Sequence, residues 1–159
     1  MSDWISENYI FLMIAGGTAV FIILLIILIR VWIRNAARRR SGYPDFEGMD
    51  GQDFEVWCAR LLADNGFESI RLTKGSGDQG VDILARKDDV KFAFQCKLYS
   101  TPLGNKPVQE IYTGKTIYSC HVGVVMTNST FTSGAKEAAE KTGVILWDIY
   151  KLEEMVHRE

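Results

Sequence analysis

Cysteine and histidine are scarce in this 159-residue chain, which has three cysteines (Cys58, Cys96, Cys120) and two histidines (His121, His157). They form no CxxC pair and no shared pattern, which argues against a structural zinc centre. An odd number of unpaired thiols fits a reducing compartment. No internal repeat is visible. Charge is missing from residues 10–29, twenty apolar or small residues in a row. At about 1.5 Å rise per residue such a run reaches about 30 Å, the thickness of a bilayer's hydrocarbon layer. Basic residues are absent before it: Asp3 and Glu7 precede the run, which ends at Arg30. A cleaved signal peptide needs a basic start, a shorter apolar core and small residues at its end. The expectation is therefore a retained transmembrane helix in the lipid bilayer.

The flanks set its direction. Arg30, Arg34, Arg38, Arg39 and Arg40 all lie after the run, and basic residues near a span stay cytoplasmic. The sequence predicts a single-pass inner-membrane protein, N-terminus outside and the remainder in the cytoplasm. Trp4, Tyr9 and Trp32 stand where interfacial aromatics belong. Residues 1–40 thus read as anchor and basic flank, 41–47 as linker, and 48–159 as a soluble domain large enough for a core.

Within that domain a helix is expected from an N-cap at Asp50 to Asn65-Gly66, with Phe54, Trp57, Cys58, Leu61 and Leu62 on one face. Ser69–Lys74 reads as a short strand. Val81–Arg86 and Lys91–Tyr99 alternate as strands around Lys87-Asp88-Asp89, a hairpin. A helix over Val108–Tyr118, a strand over Val122–Thr127, a helix capped by Thr132 or Ser133, a strand over Val144–Trp147 and a closing helix over Lys151–His157 follow. The order αβββαβαβα predicts an α/β fold with a mixed sheet flanked by helices.

Gly75–Gly80 spells GxGxxG, but the residues after it alternate like a strand instead of opening a helix, so neither a dinucleotide fingerprint nor a P-loop fits. The glycines read as a tight turn needing positive φ. Side chains two apart in a strand share a face, so Gln95 and Lys97 project together while Phe92, Phe94, Cys96 and Leu98 face a core. Val81, Ile83 and Ala85 are expected to face that same core, which turns Asp82 towards Gln95 and Lys97. A carboxylate, an amide oxygen and a lysine suit phosphodiester hydrolysis. The oxygens fit a hard cation such as Mg²⁺, with Mn²⁺ also suitable, and the lysine offsets developing charge. An ordinary cross-strand ion pair between Asp82 and Lys97 is the bland reading of the same spacing.

The block Gly77-Asp78-Gln79-Gly80-Val81-Asp82-Ile83-Leu84-Ala85, followed by Gln95-Cys96-Lys97, resembles the catalytic domain of Mrr-type restriction endonucleases, a branch of the PD-(D/E)xK nuclease superfamily. The likeness runs over about residues 48–156 and includes Phe54-Glu55, Thr127-Asn128-Ser129, Phe131-Thr132 and Lys151-Leu152. The resemblance implies a restriction-endonuclease-like fold and a DNA substrate. It also implies Asp82 as metal ligand, Gln95 in the place of the superfamily's usual acid, Lys97 as catalytic lysine and Glu55 as a helix carboxylate helping to hold the metal. Gly77, Asp78, Gln79, Gln109 and Thr127 would lie close to DNA. A homodimer is one arrangement that would allow both strands to be cut, and the sequence leaves the oligomeric state open.

Two features depart from the family. A predicted membrane anchor precedes the nuclease-like region where full-length Mrr enzymes carry a DNA-recognition domain. Residues 41–159 also hold 13 Lys+Arg against 18 Asp+Glu, a net of −5, whereas non-specific DNA affinity comes mainly from basic groups. The sequence reading is a membrane-anchored, metal-dependent DNA endonuclease serving restriction, defence or DNA processing. The alternatives are a catalytically weak nuclease-fold module that binds nucleic acid or a protein partner at the membrane, and a plain membrane adaptor.

Overall fold

The computed structural model describes residues 17–30, 44–73 and 79–157, and the chain divides into two units, Met1–Pro44 and Asp45–Glu159. In the first unit residues 17–30 are helical with exposed side chains. The rest of the predicted span, together with Trp4, Tyr9, Trp32 and Arg34 to Arg40, lies outside the described residues. Among the described residues no helix is long and apolar enough to cross a membrane.

The second unit opens with a short 3-10 turn, Phe46–Gly48, capped by Asp45. Helix α1 (Gly51–Asp64) then starts where Asp50 accepts a hydrogen bond from Asp53 N–H at 2.8 Å. That satisfies one of the four donors a helix start leaves free. Asn65 and Gly66, the latter at φ 79°, end it. Strands β1 (Glu68–Leu72), β2 (Ile83–Lys87) and β3 (Val90–Lys97) follow. Asp88 and Asp89, both at positive φ, make the tight β2–β3 turn, because two left-handed residues match the twist of a two-residue hairpin. Helix α2 (Lys106–Ile117), β4 (Val122–Thr127), α3 (Ser133–Thr142), β5 (Ile145–Trp147) and α4 (Ile149–Val156) complete the unit.

The five strands lie in chain order, β1-β2-β3-β4-β5. The β1–β2 and β2–β3 pairs are antiparallel, and β3–β4 and β4–β5 are parallel. This is the expected mixed sheet, and each face carries its own core. On one side Phe54, Cys58, Leu61 and Leu62 of α1 and Leu152 and Met155 of α4 cover Ile83, Ala85, Phe94 and Cys96. On the other, Val108 and Ile111 of α2 and Ala135 and Ala139 of α3 cover Val81, Ala93 and Val125. Val81 corrects the sequence reading, which placed it on the same side as Ile83 and Ala85. The alternation ends at Asp82, where the chain leaves the ladder, and Val81 is carried to the α2 side.

Candidate functional site

The site lies where β2 and β3 part. From the turn to the Ile83–Phe94 rung the strands pair regularly, and Asp82 N–H still donates to the Phe94 carbonyl at 2.8 Å. The next donor along β3, Cys96 N–H, goes to the Asp82 carboxylate instead, Oδ2 at 2.6 Å. An N–H to a carboxylate at this range is a strong, charge-assisted bond. Thr73 pins the other side of the departing chain: its N–H donates to the Asp82 carbonyl at 3.0 Å and its hydroxyl to the Val81 carbonyl. Before Asp82, Gln79 and Gly80 at φ 55° and 76° turn the backbone away.

Parting the strands opens a cavity of about 740 Å³ lined by Glu55, Gln79, Gly80, Asp82, Gln95, Lys97, Gln109, Glu110 and Thr113. Asp82, Gln95 and Lys97 are thus brought together as the hairpin register requires, and Cys96 points into the core at 5% exposure. Glu55 reaches the cavity from α1. A second cavity of about 700 Å³ shares Glu55, Lys97 and Glu110 with the first, and adds residues of the Thr101–Pro107 segment. Thr127 does not line this cavity; it pairs with Lys97 at the end of β4, fully buried, its hydroxyl accepting from Ser129 N–H. Gly77 and Asp78 are outside the described residues. Gln79 and Gln109 are exposed at the cavity's edge.

Glu110 of α2 is the residue the sequence reading missed. Its Oε2 accepts a hydrogen bond from Gln95 Nε2 at 2.7 Å. The signal available in the sequence was its spacing: Glu110 stands four residues before Gly114, and i,i+4 residues share a helix face. Gly114 is where α2 meets the 79–81 segment, since a Cβ there would lie 2.5 Å from Val81 Cγ2 and 2.8 Å from the Gln79 carbonyl oxygen.

The first cavity is electronegative, with Glu55, Asp82 and Glu110 against Lys97 in its lining. The Cys96 thiol lies in the core behind it. Its pKa is raised well above the ordinary cysteine range, chiefly by burial, then by its hydrogen bond with Cys58 and the charges of Cys58, Asp82 and Glu55. Among the described residues no group of three or more His, Cys, Asp or Glu could hold a metal ion unaided. An amide supplies the further oxygen. Gln95 is completely buried, and its Oε1 is a buried polar atom without a hydrogen-bond partner. A buried acceptor left unmatched costs about 1–3 kcal/mol, and such atoms in a folded protein call for a ligand, water or ion. An oxygen so placed beside Asp82 in an acid-lined cavity fits a hard divalent cation.

Residues 46–156 match the family model of the Mrr catalytic domain, described as restriction endonuclease. Three solved structures share the fold. The protein of unknown function AF1548 is 24% identical with a TM-score of 0.52, the alignment covering 62% of this chain and 62% of that one. The DNA modification-dependent restriction endonuclease AspBHI is 22% identical with a TM-score of 0.51, covering 65% of this chain and 30% of its own. The MspJI restriction endonuclease, solved in complex with a 27-mer oligonucleotide, is 19% identical with a TM-score of 0.52, covering 64% and 26%. The chain therefore spans less than two thirds of each of these proteins. No curated protein matches the sequence.

Proposed function

The chain belongs to the Mrr-type restriction endonuclease family, and from that premise we propose that it is a metal-dependent DNA endonuclease acting from the inner membrane. The observation that carries this reading is the partnerless, buried Gln95 Oε1 in one cavity with Asp82 and Lys97. Asp82, Gln95 and Glu55 would hold Mg²⁺ or Mn²⁺, which when bound supplies Lewis acidity to a phosphate and a more acidic water. The chain's own residues do the rest. Cys96 N–H fixes the Asp82 carboxylate in direction. Lys97 offers its ammonium to a non-bridging phosphate oxygen or the attacking water and offsets charge that grows in the transition state. Cleavage of both strands would take two copies.

Membrane anchorage is supported by the uncharged run at 10–29 and the arginines after it, and by the exposed apolar side chains of Val20 to Ile29. The acid excess of residues 41–159 favours a second reading, a binding module without cleavage.

The test uses the full chain in detergent micelles with supercoiled plasmid and Mg²⁺, Mn²⁺ or EDTA. Wild type should nick in either metal and not in EDTA. Lys97→Ala should cut the rate about 10²–10³-fold, the effect of removing one transition-state donor, with an unchanged circular dichroism spectrum. Equal metal-dependent nicking by both proteins refutes the site. DNA binding without nicking in any metal would favour the second reading.

A further inference from the structure

Resting on that reading of the site, we infer that Glu110 is a positioning residue that turns Gln95 into an oxygen donor. An amide side chain has two ends of nearly equal shape and opposite chemistry: the oxygen attracts a cation and the NH₂ group repels it. A glutamine standing where an acid is usual is useful to a metal only if its oxygen faces the ion. A carboxylate accepts and cannot donate, so the 2.7 Å contact between Gln95 Nε2 and Glu110 Oε2 fixes which end faces the helix. The other end, Oε1, is left buried and without a partner. Hydrogen bonding of the NH₂ group to an anion also polarises the amide and strengthens its oxygen as a donor.

The surroundings are built for this contact. A Cβ on Gly80 would lie 2.9 Å from Glu110 Cβ and 3.0 Å from Gln95 Nε2, so only glycine leaves room for the pair. Lys106, one turn back on α2, stands 3.7 Å from the other carboxylate oxygen, Oε1. The Oε2 contact sets Glu110 against the NH₂ end of the amide.

A merely electrostatic Glu110 would attract a cation whatever stood at position 95, whereas a positioning Glu110 acts only through Gln95. The double-mutant cycle separates these. Mn²⁺ affinity is measured by calorimetric titration of the full-length protein without DNA, for wild type, Glu110→Ala, Gln95→Ala and the double variant, with Glu110→Gln as the shape-preserving check on folding. Glu110→Ala should weaken Mn²⁺ binding about ten-fold in the wild-type background and less than two-fold once Gln95 is alanine. In amide NMR spectra of the metal-free protein, Glu110→Ala should move the Gln95 side-chain NH₂ signals towards free-amide positions. An equal loss of affinity in both backgrounds, or unmoved NH₂ signals, overturns the inference while leaving the nuclease reading intact. Wild-type protein that neither binds Mn²⁺ nor nicks DNA overturns both.

Discussion

Asp82 combines an observed hydrogen bond with a proposed place at the metal, and substitution can pull the two apart. Its Oδ2 accepts the Cys96 N–H at 2.6 Å in a site only 8% exposed. Asp82→Ala leaves that N–H buried and without its partner, at a cost of about 1–3 kcal/mol. For a domain of this size each kcal/mol moves Tm by about 4 °C, so the melting temperature should fall by roughly 4–12 °C. Asp82→Asn keeps an amide oxygen for the same N–H and removes a buried charge, so its Tm should hold within about 4 °C of wild type, or rise. Both variants lose an anionic oxygen from the proposed metal site, and both should lose nicking on the order of 10³-fold. Melting is followed by circular dichroism and nicking by plasmid relaxation in Mg²⁺, on the same preparations. If Asp82→Asn melts as low as Asp82→Ala, the carboxylate's bond to Cys96 is not what holds the split strands. If Asp82→Asn nicks at the wild-type rate, Asp82 is not at the chemistry.

Two further outcomes are expected. Gly114→Ala adds a Cβ 2.5 Å from Val81 Cγ2 and 2.8 Å from the Gln79 carbonyl oxygen. The overpacking cost of about 1–3 kcal/mol should exceed the gain in helix propensity of about 1 kcal/mol. Thermal melting should show a loss, against no loss for Gly134→Ala, whose added Cβ would have nothing nearer than Thr132 Oγ1 at 4.0 Å. For topology, alkaline phosphatase fused after Glu159 should be inactive and a fused fluorescent protein bright, as the orientation proposed from the arginines after the apolar run predicts; active phosphatase there would reverse the orientation.

Much of this fold was legible because local chemistry and burial agree. Asp50 had an oxygen to cap α1 and an apolar stripe to follow. The hairpin had alternation on both sides of its turn, which the structure narrows from the expected Lys87-Asp88-Asp89 to Asp88-Asp89, with Lys87 paired to Val90. Asp82, Gln95 and Lys97 could be placed together by period two alone. Strand periodicity fails where the ladder itself stops. Val81 changes sides because Asp82 spends its side chain on a backbone donor, and no count of alternating residues carries that information. Glu110 escaped for a related reason. Its partner lies fifteen residues earlier, on another element, and the two meet only because glycines at 80 and 114 let α2 come close.

The cavity draws Glu55 from a helix packed on one face of the sheet and Glu110 from a helix packed on the other. Each acid therefore rides on a different core, and the sheet separates the two. Repacking beneath α1, at Leu62 or Met155, can shift Glu55 with little strain passed to α2. Repacking beneath α2, at Val108 or Ala139, can shift Glu110 from the other side of the sheet. Such a site has two separate adjusting screws. The acid on each face can thus be moved by small substitutions in its own core, while the strand split that holds Asp82 and Lys97 lies between them.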